Sequence, residues 1–440
     1  MTTALKNTNC SPFNDYSAYV SQLKCLALES HHAGDWNSRV EAALNGQANV
    51  ELRRVVPLAT LRKFGAFFTG TDLASKLIDC GTGFDETSVF YDPTCGLGDL
   101  LVAVARKLPL RNKLSDTLRK WGHQLSGTDL HREFVEGART RLIILARQRH
   151  ESDQPLQGSD ATFFPNIRVA DGLRQHALFD RATHILLNPP FGQTAAPAGC
   201  EWAGGRITEA AEFVVAALER AKPKTELLAI LPEVLRSGSF TQHWRKRINQ
   251  LAEVQLIEPY GVFDASADVD VFLLRLARES VQSCAGTHQW TRSSASNTMT
   301  IADFFEVHVG RVVPHRDPEL GKKHPYIHAR CVPTWKVMKN FTESRKYEGM
   351  VYEPPFVVIR RTSRPGHPYR AAATVIAGND AVAVENHLIV CEPKDRKLVT
   401  CKRLMRHLKS ETVNDFLNQR IRCRHLTVAS VRELPWENVK

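Results

Sequence analysis

The sequence predicts an α/β fold built on a mainly parallel sheet, followed by a second domain of α+β type. Three observations carry this expectation. Between about residues 88 and 277, short β-branched runs alternate with stretches of helical periodicity, the pattern of βαβ units. A glycine turn, Gly96-x-Gly98, stands between one such run and a helical stretch. The apolar run Ile185–Leu187 is stopped by Asn188-Pro189-Pro190-Phe191, which no strand interior holds because proline cannot donate to the ladder.

Taken in order, residues 14–64 read as helical, with apolar residues at three- and four-residue spacing in "SAYVSQLKCLALES" and "SRVEAALNG". The predicted strands are 88–92, 123–129, 166–170, 183–188, 226–232, 253–259 and 269–276, with helices over 98–107, 131–149, 207–222 and 240–252. The basic stretch 107–122 is expected as an extended helix end or a loop. The last two strands lie too close together for a crossover helix, so the final one is expected to be antiparallel. Residues 278–300 are rich in Ser and Thr without a clear period and read as a linker. Beyond it, "FVVIRR" and "NHLIVCE" read as strands and "DFLNQRIRC" as a helix. The expected division is therefore a helical segment 1–60, an α/β domain 61–277, a linker 278–300 and a basic domain 301–440.

Composition narrows the partners. At 440 residues, 43% hydrophobic and 24% charged, the chain is long enough for two or three domains of ordinary soluble type. No apolar run reaches the roughly 18–20 residues of a membrane span, and the start lacks the layout of a secretory signal. The ten cysteines form no C-x-x-C pair, so reduced thiols in a cytoplasmic protein are expected, with no metal site. Residues 311–440 hold 25 Lys+Arg against 13 Asp+Glu, whereas residues 1–310 hold 33 against 34. The whole excess of the net +11 thus lies in the C-terminal third, which points to a polyanionic partner, most simply nucleic acid.

Three acidic strand ends fit one ligand. Asp92 precedes the Gly96-x-Gly98 turn, where a carboxylate repels phosphate and suits a cationic or amino-acid-like group; the turn also carries no basic residue for a pyrophosphate. Asp129 ends the second strand, where carboxylates bind ribose hydroxyls in dinucleotide folds, although its separation from the turn exceeds the usual ~20 residues. Asp171 ends the third, placed for an adenine amino group. Asp129 and Asp171 also read as helix N-caps. The combined implication is a nucleoside with an amino-acid-like tail beside the Asn-Pro-Pro-Phe corner.

That set resembles the S-adenosylmethionine-dependent, amino-directed adenine DNA methyltransferases (N-6 DNA methylase type), over roughly Leu61 to Leu276. The family's first segment, Gly-x-Phe-Phe/Tyr-Thr-Pro, reads here Gly65-Ala66-Phe67-Phe68-Thr69-Gly70, with glycine in place of the proline. The resemblance implies a Rossmann-like methyltransferase sheet and S-adenosyl-L-methionine as cofactor. Phe68 and Thr69 would touch it, Asp92 and the Gly96 and Gly98 backbone would hold its methionine end, Asp129 its ribose and Asp171 its adenine. Asn188, Pro189, Pro190 and Phe191 would be the catalytic corner, acting on the 6-amino group of a flipped adenine, and the segment 192–205 with Trp202 would order over the flipped strand. More loosely, residues 301–440 resemble target-recognition domains, with Arg360, Arg361, Arg364, Lys402, Arg403 and Arg406 as candidate contacts to duplex DNA. "DPELGKK" at 317–323 lacks the Glu-x-Lys spacing of a metal-dependent nuclease, so a restriction or specificity subunit would be a separate partner.

Two other readings stay open. The same corner serves methylation of RNA or of a protein glutamine, and the chain could also be a cofactor-binding DNA recognition subunit that is catalytically silent.

Overall fold

The computed structural model describes residues 12–152, 155–156, 158–264, 269–279, 290–291 and 298–436. The chain forms two compact units, one of residues 1–235 with 241–288, the other of 236–240 with 289–440.

The first unit opens with helices α1 (Ser17–Leu28), α2 (Trp36–Leu44), α3 (Gln47–Val55), α4 (Leu58–Phe64) and α5 (Thr71–Asp79). The sheet region follows: β1 (Phe90–Asp92), α6 (Asp99–Lys107), α7 (Leu114–Gln124), β2 (Leu125–Asp129), α8 (Arg132–His150), α9 (Asp160–Phe163), β3 (Ile167–Val169), α10 (His176–Arg181) and β4 (His184–Leu187). After the Pro-Pro corner come β5 (Gln193–Ala195), β6 (Arg206–Thr208), α11 (Glu209–Arg220), β7 (Glu226–Pro232), α12 (Glu233–Ser237), α13 (Gln242–Leu251), β8 (Ala252–Val262) and β9 (Asp270–Arg278).

Seven strands make one sheet in the order β3-β2-β1-β4-β7-β9-β8. Pairing is parallel from β3 to β7, while β9 runs antiparallel to both β7 and β8. This is the expected Rossmann-like sheet with an antiparallel last strand. The central strands β4 and β7 are buried on both faces, which is why they read as continuous apolar runs rather than as alternation.

Helix α8 is buried around most of its circumference, from Phe134 to Arg147. It lies between β2 and β3 on one side and α1 and α2 on the other. The helices before residue 61 therefore share one core with the sheet: Tyr16, Leu23, Val40 and Leu52 belong to the same buried cluster as Leu101, Leu125 and Leu142. The stretch 107–122, expected as an extended helix end or a loop, is a short connection after α6 followed by a separate helix, α7, from Leu114. Leu114, Thr117, Leu118 and Trp121 make its buried stripe, while basic residues occupy the exposed turns and obscure that spacing.

The second unit contains α14 (Ile301–Phe304), β10 (Phe305–Val309), β11 (Lys323–Ile327), β12 (Val337–Met338), β13 (Ser344–Lys346), β14 (Phe356–Arg360), β15 (Ala373–Ile376), β16 (Ala383–Val384), β17 (Leu388–Pro393), α15 (Leu398–His407), α16 (Glu411–Arg420) and α17 (Val428–Arg432). Its main sheet has the order β10-β17-β14-β15-β12, and a smaller one the order β13-β11-β16. Alternation along β14 gives the main sheet two buried faces. Val357 and Ile359 pack with residues of α15, α16 and α17, and Phe356 and Val358 with Ile327 and Val384 of the smaller sheet. Most of the predicted linker, 280–289 and 292–297, lies outside the described residues.

Candidate active site

After β3 the chain returns across the sheet to form β4 beside β1, and this reversal opens a crevice at the carboxyl ends of the strands. A cleft of about 360 Å³ occupies it, lined by Phe68, Thr69, Asp92, Gly96, Asp129, Asp171, Asn188 and Pro190 among others. Eight of the predicted site residues, spread in sequence from Phe68 to Pro190, thus meet at one cavity.

Each strand end contributes one polar group. Asp92, at the end of β1, is 2% exposed and accepts the Thr94 amide at 3.0 Å. Burial pushes its carboxyl up to about 8, with the neighbouring charge of Asp129 adding to the effect. Asp129, at the end of β2, accepts the His131 amide at 2.9 Å and the Gly96 amide at 3.1 Å, and burial raises it to about 6. Asp171 does act as a helix cap: it accepts the Leu173 amide at 3.0 Å and pairs with Arg174 at 3.1 Å, at the edge of the cleft.

The corner after β4 is held from the 65–70 loop. Asn188 donates its Nδ2 to Thr69 Oγ1 at 2.8 Å, which fixes the amide plane and leaves Oδ1 as its acceptor. A Cβ on Gly65 would stand 2.4 Å from Pro190 Cβ, so only glycine lets the loop approach the corner this closely. Gly70 has φ +74°, which proline cannot adopt, and its amide donates to Asp99 Oδ2 at 3.0 Å. Glycine at this position thus uses both properties that proline lacks.

Three predicted residues do not line the cleft. Gly98 caps α6 and faces Ala138 of α8, Pro189 is buried, and Phe191 packs edge-on against Phe263 at 5.4 Å. The segment 192–205 carries a two-stranded ribbon, β5 antiparallel to β6, closed by the Ala196 amide on the Gly205 carbonyl.

Sequence reasoning missed Asp99, Arg141 and Glu209. Arg141, 1% exposed, donates to Asp99 Oδ1 at 2.7 Å and to the carbonyls of Leu97 and Ala43, so one guanidinium ties α6, α2 and the 65–70 loop together. An arginine inside a long apolar helix was the available signal. Glu209 opens α11 and lines the cleft; burial raises its carboxyl, which makes no hydrogen bond or ion pair among the described residues. Phe13 and Tyr16 complete the aromatic wall behind Phe68 through Phe134, with ring centroids 4.7 Å and 5.9 Å from it.

No family model and no curated protein matches the chain. Among solved structures it is similar to a candidate class I S-adenosylmethionine-dependent methyltransferase from Listeria monocytogenes, at 16% identity and TM-score 0.38, over 62% of this chain and 83% of that one. It is similar to the type IIG restriction endonuclease BpuSI at 14% identity and TM-score 0.42, over 99% and 68%. The type IIL restriction-modification enzyme MmeI, in complex with DNA, aligns at 11% identity and TM-score 0.45, over 96% and 67%. Among the described residues no helix is long and apolar enough to cross a membrane.

Proposed function

We propose that the chain is a site-specific DNA methyltransferase that transfers a methyl group from S-adenosyl-L-methionine to the 6-amino group of a flipped adenine, within a restriction-modification or phage-defence system. The observation that carries this reading is the Asn188 amide, held by Thr69 with its oxygen free to accept, at the rim of an acid-lined cleft.

In this reading Asp92 faces the cationic methionine end, Asp129 accepts from the ribose hydroxyls, and Asp171 receives the adenine amino group. The cofactor supplies an activated methyl on sulfur. The lone pair of an adenine amine is delocalised into the ring, so acceptors aimed at its hydrogens draw the nitrogen toward tetrahedral geometry. The Asn188 oxygen and the Pro189 carbonyl fill that role, and two consecutive prolines keep them in place with little reorganisation. Aromatic stacking by Phe191 would offset part of the few kcal/mol needed to unstack the base. The basic second unit would hold the duplex.

The test is modified-base sequencing of DNA from a methylation-free bacterial host expressing the chain, beside an Asn188→Ala control. Methylated adenine in one short motif, absent from the control, supports the proposal. Cofactor binding without modified adenine turns the assignment toward RNA or a silent recognition subunit.

A further inference from the structure

The smaller sheet of the second unit brings together three side chains that the proposed transfer does not use. His328 follows β11, Cys331 lies one turn later, and Glu343 precedes β13. The antiparallel pairing of β11 with β13, extended by the Tyr326 amide on the Glu343 carbonyl at 2.9 Å, sets the glutamate opposite Tyr326, two residues from the histidine that its side chain reaches. One ligand atom from each of the three residues lies within 4.8 Å of the others.

We propose that His328, Cys331 and Glu343 bind a divalent metal ion of borderline softness, with zinc as the best match. Nitrogen, thiolate and carboxylate are the donors zinc takes, and three protein ligands leave a position for water. Bond lengths of about 2.0–2.3 Å put tetrahedral ligands roughly 3.3–3.8 Å apart, so the imidazole nitrogen and the carboxylate, now 2.9 Å apart, part slightly while the widest separation, at most 4.8 Å, closes by up to about an ångström. A thiolate and a carboxylate together neutralise a divalent charge. The His328 amide lies 3.2 Å and its carbonyl 3.3 Å from Cys331 Sγ, so the turn holds the sulfur beside the imidazole.

Without metal, His328 Nε2 stands 2.9 Å from Glu343 Oε1, and Nδ1 accepts the Arg330 amide at 3.2 Å. A metal on Nε2 therefore displaces the proton shared with Glu343 and moves the ring proton to Nδ1. The Arg330 amide then has to turn away, which a turn with Arg330 exposed can accommodate. Ligand His328 and Glu343 are 15 residues apart, and their meeting depends on strand pairing, which is why no metal signature was legible in the sequence.

The full-length chain, stripped with a chelator, would be titrated with Co²⁺ as a spectroscopic probe and then with Zn²⁺ in competition. The expected result is a stoichiometric thiolate-to-cobalt absorption that Zn²⁺ removes. Cys331→Ser should abolish the band, and His328→Ala and Glu343→Gln should weaken Zn²⁺ binding by at least the roughly 10- to 100-fold that losing even an outer partner costs. Circular dichroism of each variant separates loss of ligand from loss of fold. Absence of the band in the folded wild type, or a band that survives in folded Cys331→Ser, overturns the proposal.

Discussion

At the scale of single residues, the proposed function assigns the acidic strand ends to the cofactor and the Asn188 corner to the substrate. Asn188→Ala removes the acceptor while leaving the three acidic strand ends in place. Its expected effect is a fall of about 10²–10³ in kcat, with a much smaller change in cofactor affinity by calorimetry. Gly70→Pro is expected to destabilise the protein by more than about 1 kcal/mol, because it demands a forbidden φ and removes the amide that Asp99 accepts. Thermal unfolding of the variant reads this directly. The acidic pair gives a pH dependence of defined sign. Asp92 and Asp129 rise from 3.8 when unfolded to about 8 and about 6 in the fold, so the folded state holds more protons between these values. Stability of the free protein should therefore fall as pH rises from about 4 toward 8. Asp92→Asn should flatten that slope in denaturant titrations at several pH values. A cationic ligand works in the opposite direction, since it favours the ionised carboxylates, so its affinity should increase over the same range.

At the scale of elements, the helices before the sheet act as a wall of the site. Phe13, fully buried against Phe134 and His131, supports the ring stack that ends at Phe68. Phe13→Ala should cost about 3–5 kcal/mol in chemical denaturation and weaken cofactor binding, whereas a purely remote packing role would leave affinity unchanged. This wall marks the limit of what the sequence disclosed. Strand positions were readable because apolar runs end at acidic or proline stops: 226–232 matches β7 at both ends. The Asn188 corner and the acids at the ends of β1, β2 and β3 were readable for the same reason. Helix α7 was not, because its apolar stripe is short and shares its turns with basic residues. Nor were Arg141, Asp99 and Glu209, whose partners come from elements distant in sequence. Periodicity reports which face of an element is buried, but it does not report which neighbour covers it.

At the scale of the whole molecule, charge is distributed unevenly between two regions of the chain. Residues 1–310 are close to neutral and residues 311–440 carry the excess of basic groups. Among the six candidate DNA contacts the structure separates two kinds. Arg360 donates to the Val332 carbonyl at 2.9 Å and Arg361 reaches the Asn386 carbonyl at 3.5 Å, so both are committed in part to the fold. Arg364, Lys402 and Arg406 are exposed, Arg403 is half-buried, and Lys402 and Arg406 lie one turn apart on α15. Each exposed residue that contacts a phosphate releases about one counterion, so removing it should lower the salt slope of duplex binding by about 1 without changing which sequence is preferred. Lys402→Ala with Arg406→Ala should then lower that slope by about 2, read from binding isotherms over a series of salt concentrations. Arg361→Ala should instead lower the unfolding midpoint. An unchanged slope in the double variant, with the fold intact, would remove α15 from the duplex contact and assign its charge to solvent.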